Sequence, residues 1–389
     1  MAAVGSSTLG VYNPIFYAQE ALIHLEEALG MANRVHRGFD AERRSFGKGD
    51  TINIRKPQKF TAASAPVTSP LGLETETTAV TLDQWKEVKF ALTDKEIAYT
   101  GTNIIQDHIR PAAFALANNI DLALCANVNG TVGNSVATYN GANAASTSIL
   151  KMRKALFDAK VPMGGDLHFQ VDGEMENDFL ADAAFGQYQG AGNAGVETQM
   201  RGTLGTKYGL EIFANQNADT ITKAAGDLAD LAGAVDGEHL KGVTTVTVDN
   251  LTNTETIKIG DSFTIAGDST VYCITNDITV SGAEAALNIS PPLQATAAAA
   301  AVVTMVNVGA ATSMGVAFHK NAFCLAMAQL PEMGNELGAR VATVSDPKTG
   351  LSLRSRVYYI GSSSQVHVAL DVLYGVKTLD PMMAVKMTS

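Results

Sequence analysis

Between Gly47 and Tyr99 the chain alternates apolar and polar residues in two separated runs, and this pattern constrains its fold more than any other. The first run, Asp50-Thr51-Ile52-Asn53-Ile54-Arg55, is apolar at alternate positions. The second, Val80 to Leu92, carries Val80, Leu82, Val88, Phe90 and Leu92 in one parity and Thr81, Asp83, Trp85, Glu87 and Lys89 in the other. A period of two marks strands covered on one side only. The stretch between them, Thr61 to Thr78, is rich in Thr, Ala, Ser and Pro and is expected neither to be helical nor to pack. The expectation is a long two-stranded ribbon with nothing of its own to lie on. An isolated hairpin is marginal in water, so its half-apolar face is expected to be sheltered by a neighbouring copy, in a chain built for assembly rather than catalysis.

At 389 residues, with 46% hydrophobic and 17% charged residues, the chain is long and apolar enough for two or three folded domains. Its 28 Lys plus Arg against 39 Asp plus Glu give a formal charge of −11. That argues against a basic groove gripping a polyanion and leaves room for weak local contact with DNA. The three cysteines, Cys125, Cys273 and Cys324, form no CxxC pair, so a reducing compartment is expected, with no disulfide framework or zinc knuckle. The opening residues lack a basic segment followed by an apolar one, and the Ala-rich run Ala295 to Val303 is too short to span a bilayer. The expected protein is soluble, made inside a cell, without a membrane partner and without a cofactor.

Tyr17 to Asn33 places Ala18, Leu22, Leu25, Leu29 and Ala32 at helical spacing and is stopped near Gly30. Arg34 to Asp50 is polar. Asn103 to Val128 carries Ile105, Ile109, Ala112, Leu116, Ile120 and Ala123 on one stripe, and Pro111 either kinks this long helix or opens its main segment. A helix (Ile149 to Ala159), a strand (Leu167 to Val171), a helix (Glu174 to Ala184), a glycine-rich loop (Gly190 to Gly195) and a strand (Leu210 to Ala214) then read as an α/β unit. Gly226 to Gly242 looks like a linker. From Val243 to Val306, short β-type runs punctuated by Gly, Asp, Asn and Pro indicate a small barrel or sandwich. Helical period returns over Ala317 to Leu330. Strands are expected around the turn Asp346 to Gly350, over Gln365 to Tyr374, and over Met382 to Met387. An all-β module is thus expected inside an α/β domain whose halves flank it.

Reactive constellations are weak. Gly260-Asp261-Ser262 and Gly267-Asp268-Ser269 match the nucleophile triplet of GDS-type esterases, but they fall inside the β-module without a late Asp-x-x-His, and turns account for them better. Gly202 to Lys207 lacks the GxxxxGK[ST] spacing of a phosphate loop. The seven histidines form no HxxxH or HExxH, and Asp249, Asn250, Asn253 and Glu255 do not make a calcium loop. Trp85 has two readings of equal weight: packing against a cross-strand partner, or an aromatic anchor between subunits. The charges around it, Arg55, Lys56, Lys86, Glu87 and Lys89, are either solvated or set the register between copies.

Leu116-Ala117-Asn118-Asn119-Ile120-Asp121-Leu122 resembles the spine-helix block of tailed-phage major capsid proteins of the Hong Kong 97-type fold. Leu370-Asp371-Val372-Leu373-Tyr374-Gly375-Val376-Lys377, with Pro381 and Ala384-Val385, resembles that family's closing strands. Ile257 to Gly267 and Ile289 to Leu293 are similar to the β-barrel insertion of short-tailed temperate phage coat proteins, although no long loop leaves this module. The resemblance implies an α+β capsid fold: N-terminal arm and helix (1–35), extended β-hairpin loop (36–100), spine helix and peripheral domain (101–145), axial domain in two halves (146–216 and 313–389), and an inserted barrel (217–312). It implies a non-enzymatic subunit that forms hexamers and pentamers of an icosahedral head. It further implies a scaffolding protein and a portal as assembly partners, weakly held double-stranded DNA inside, and a place in the virion after assembly in host cytoplasm. An encapsulin-like compartment shell is the alternative, with a β-rich adhesin behind it. Arg55, Lys56, Trp85, Lys86, Glu87 and Lys89 are the candidate assembly contacts.

Overall fold

A computed structural model describes residues 14–38, 50–56, 64–65, 76–93, 95, 108–137, 145–186, 192–221, 232–307, 313–332, 339–345 and 351–388. Most of the expected ribbon tip, the first residues of the expected long helix and the turn Asp346 to Gly350 lie outside these residues. The chain divides into two compact units. One comprises Met1–Ala28, Arg37–Ala117 and Leu325–Lys377; the other comprises Leu29–His36, Asn118–Cys324 and Thr378–Ser389.

The first unit is built on an antiparallel sheet. Strand Ser352–Ile360 pairs on one side with Arg340–Ser345 and on the other with Gln365–Thr378, whose far side takes Gln84–Thr93 and the strand Phe323–Ala328. Helix Pro14–Ala28 lies across the Arg340–Ser345 and Ser352–Ile360 strands. Proline opens this helix at a position where its missing N–H is not needed. Tyr17, Ala18, Ala21, Leu22 and Leu25 recur at helical spacing and are all buried. At about 1.5–3 kcal/mol for each large apolar side chain, such a stripe outweighs the weak intrinsic stability of a four-turn helix.

In the second unit a mixed sheet runs in the order Ser135–Ala137, Ala384–Thr388, Ser313–His319, Leu167–Val171, Leu210–Ala214, Thr206–Lys207. Helices Ala145–Asp158 and Gly173–Ala181 bury Ile149, Met152, Leu156, Met175 and Phe179 in a core shared with Phe169, Val171 and Ile212 of the sheet. Asp172 caps the second of these helices, accepting from the Met175 N–H at 2.8 Å, with Glu174 and Glu176 in the first turn. Strands on both sides of residues 232–307 in sequence enter this one sheet. Those residues themselves form a closed six-stranded barrel around Val246, Phe263, Tyr272, Ile274, Leu287 and Val303.

The long helix, Arg110–Thr131, has Pro111 as its second residue, and residues 103–107 of the expected helix lie outside the described residues. At 1.5 Å per residue it is about 33 Å long. The barrel seats on its C-terminal end. A Cβ at Gly130 would stand 2.8 Å from Ile259 Cδ1, one at Gly133 2.7 Å from Val271 O, and one at Gly260 2.4 Å from Asn129 Oδ1. Ser290 Oγ donates to Thr131 O at 2.9 Å, and the buried Lys386 ammonium reaches Asn129 O at 3.4 Å. Terminal helix carbonyls that lack intrahelical partners, and the negative end of the helix dipole, are satisfied in this way.

Four sequence expectations need correction. Ala317 to Leu330 is not helical: it is the end of strand Ser313–His319, a single 3-10 turn and strand Phe323–Ala328, all six residues of which are buried. Phe323–Ala328 is apolar at every position, so it fits a helical period as readily as a strand. The glycine-rich stretch after Gly190 opens a helix, Asn193–Arg201, within three residues. The presumed linker contains Ala232–Val235, a barrel strand, where Gly233 permits close approach of Val248 and Leu251. The fourth correction concerns the ribbon.

Candidate assembly site

Thr51–Lys56 pairs antiparallel with Glu76–Thr81, Ile52 opposite Val80, so a ribbon root exists. The second run of the alternation is nevertheless two strands. It breaks at Leu82 and Asp83, and Gln84–Thr93 leaves the ribbon to pair with Gln365–Thr378, from Gln84 opposite Tyr374 to Thr93 opposite Gln365. Nor is the root unsupported: Ile52, Val80 and Leu82 pack with Ala326, Ala328 and Leu373 of the same unit. The expectation of a ribbon with nothing of its own to lie on therefore fails for the described residues. Sequence periodicity shows that a strand has a covered face; it does not show which segment covers it.

The break is made by close backbone approach. A Cβ on Gly375 would stand 2.1 Å from Thr81 O, so only glycine lets the chain cross there. Leu82 N donates to Asp50 O at 2.9 Å and closes the root. Tyr374 is fully buried beside this corner; burial first, then the Asp83 carboxylate, push its phenol up to about 12.

Beyond the corner, Trp85, Glu87 and Lys89 stand on one face of their strand, with Leu373, Asp371 and Ala369 directly opposite. Asp371 is fully buried, and two guanidinium groups converge on it: Arg354 Nη2 at 2.5 Å and Arg356 Nη2 at 3.0 Å. Arg356 also holds Glu87 at 3.1 Å, Arg354 Nη1 donates to Pro331 O at 2.9 Å, and Trp85 Nε1 donates to Asp371 at 3.4 Å. The Lys89 ammonium lies 5.1 Å from the centre of the Tyr358 ring. Two arginines against two carboxylates leave the cluster neutral, the condition on which buried charges persist.

The structure brings together three of the six candidate residues, Trp85, Glu87 and Lys89. Lys86 falls in the opposite parity and is half-buried; Arg55 is exposed on the ribbon opposite Thr77, and Lys56 stands opposite Glu76. Trp85 meets its cross-strand neighbours and still leaves 58% of its surface exposed. Asp371, Arg354, Arg356 and Tyr358 were missed. The available signal was a lone carboxylate inside the apolar run Val368 to Val376, since a charge in such a run must be paired.

The two GDS triplets form turns, with Gly260 and Gly267 at φ of 91° and 93°, and Asp261 and Asp268 accepting from the backbone N–H of Lys258 and Thr270. Among the described residues no group of three His, Cys, Asp or Glu could hold a metal ion, and no described helix is long and apolar enough to cross a membrane.

A solved structure of Mycobacterium phage Che8 superposes on 92% of this chain and 90% of its own, with a TM-score of 0.51 at 16% sequence identity. The two share a fold. Weaker likenesses join the chain to a capsid structure of cyanophage P-SCSP1u (10% identity, 89% of this chain and 85% of the other, TM-score 0.48). The mature capsid of bacteriophage PhiM1 is a further one (10% identity, 88% and 82%, TM-score 0.45). No protein-family model matches the sequence, and no curated protein matches it.

Proposed function

We propose that this chain is the major capsid protein of a tailed bacteriophage, a structural subunit that assembles with copies of itself into the icosahedral head around double-stranded DNA. The observation that carries the reading is the fold shared with the Mycobacterium phage Che8 structure over nearly the whole of both chains. On this reading the subunit resides in the virion and belongs to the Hong Kong 97-type fold, divided as the sequence implies, with residues 217–312 as the inserted barrel. The outer face bearing Trp85, Glu87 and Lys89, the ribbon residues Arg55 and Lys56, and Lys86 serve as assembly contacts. A scaffolding protein and a portal direct closure, and the acidic chain contains its DNA without gripping it. Modest contacts repeated over a symmetric lattice supply the stability of the shell.

Negative-stain microscopy of the purified protein, with and without a scaffolding partner, tests this. Closed shells are expected; a monodisperse monomer under every assembly condition overturns it. Shells that fill with a co-expressed protein rather than accept DNA would move the reading to a cellular compartment.

A further inference from the structure

Leu29–His36 belongs to the second unit, although the chain immediately before and after it belongs to the first. Its one regular element is the 3-10 turn Met31–Asn33. Met31, Ala32 and Val35 are buried, yet polar contacts hold the segment on every side. Asp121 accepts from the N–H of Gly30 at 2.6 Å and of Ala32 at 2.9 Å. Arg34 lies over the Phe213 ring at 4.1 Å and donates to Glu211 Oε1 through Nε at 3.1 Å and Nη2 at 2.8 Å. Glu211 Oε2 in turn stands 2.9 Å from His168 Nδ1. His36 N donates to Phe323 O at 3.0 Å. An open cavity beside the segment is lined by Arg34, Asp166, His168, Glu211 and Lys320.

We propose that Leu29–His36 is an acid-released strap, loosened from its unit when His168 and His36 take up protons. His168 faces Glu211, Arg34 and Asp166, and its ring meets Phe318 at 5.7 Å; His36 faces Lys320. Around the strap the cations Arg34 and Lys320 stand against the carboxylates Asp166, Glu211 and Asp121, and His319 is a further titratable group beside Asp166. Proton uptake at His36 and His168 adds two positive charges beside Lys320 and Arg34.

Burial holds both imidazoles below their ordinary value, aided by Lys320 at His36 and by Arg34 at His168, where Glu211 acts in the opposite sense. A histidine pKa held lower with the strap docked than with it released makes docking strongest above the released value and weaker as pH falls towards the docked one. Burial pushes Glu211 up, but Arg34 and His168 outweigh it and keep that carboxylate ionised through this range. Asp121 works the other way. Burial raises its carboxyl against the strap's N–H bonds, so proton uptake there favours docking, and release is a histidine effect.

Amide hydrogen exchange of the full chain, corrected for the intrinsic rate at each pH, tests the strap without requiring a shell. Between about pH 7.5 and about pH 5.5 the protection of residues 30–36 falls several-fold while that of Phe169 and Val171 holds. The double variant His36→Gln with His168→Gln keeps the strap protected throughout. Lys320→Gln, which removes a cation that lowers His36, makes the acid loss smaller and serves if the double variant does not fold. Strap protection that is independent of pH, that falls equally in the double variant, or that is unmoved by Lys320→Gln overturns the proposal. Shell assembly is scored separately, so failure of the capsid reading leaves this result standing.

Discussion

Asp371 shows what one buried carboxylate does when two arginines depend on it. Replacing it with alanine leaves Arg354 and Arg356 facing one another with only Glu87 to compensate. Asp371→Ala is expected to cost about 3–5 kcal/mol in urea denaturation, whereas a joint exchange of Arg354 and Asp371 for apolar residues of similar volume costs far less. Gly375→Ala is expected to fail by a different route, because its new methyl would enter the Thr81 carbonyl. Tyr374 gives a pH signature. With its phenol raised to about 12 from 10, its stabilising contribution is complete below pH 10 and is lost as pH climbs towards 12. Alkaline thermal scans of Tyr374→Phe should lack that part of the decline. Two of the sequence blocks that carried the family resemblance, the spine-helix block and the closing strands, contain an anchoring aspartate, Asp121 in one and Asp371 in the other. Residue types alone marked the blocks; they did not reveal that each aspartate tethers a segment remote in sequence.

Elements with a single unambiguous period were legible. The helix from Pro14, strands Leu167–Val171 and Leu210–Ala214, and the β-type runs from Val243 to Val306 emerge near their expected places, because local spacing matches the face that is buried. Elements whose state is decided by a distant partner were not. Phe323–Ala328 is a strand paired with Gln365–Thr378 and buried on both faces, and Gln84–Thr93 left the ribbon because Gln365–Thr378 offered a longer pairing. The barrel seat belongs to the same class, since isolated glycines in a helix end look merely permissive until another backbone is found against them. Gly133→Val should push the Val271 to Cys273 backbone off the helix end. The expected loss is about 1–3 kcal/mol, with new protease cleavage between residues 132 and 134 as its marker.

For the whole molecule, the exposed face at Trp85 offers a test that separates folding from the proposed role in assembly. Trp85→Ala removes a side chain that is more than half exposed, so circular dichroism and denaturation of the monomer should change by less than about 1 kcal/mol. Lys89→Glu should behave alike as a monomer, and both should lower shell yield. Normal yield from both variants would remove this face from the assembly contacts. The pairing of Gln84 with Tyr374 has a temporal consequence as well. These partners are 290 positions apart (374 − 84), so a ribosome adding about 5–20 residues each second holds the earlier strand unmatched for roughly 15–60 seconds. During that wait its bare hydrogen-bonding edge is open to the same strand on a neighbouring nascent chain. Crowded polysomes, more than the finished subunit, are therefore where this molecule is most exposed to going astray.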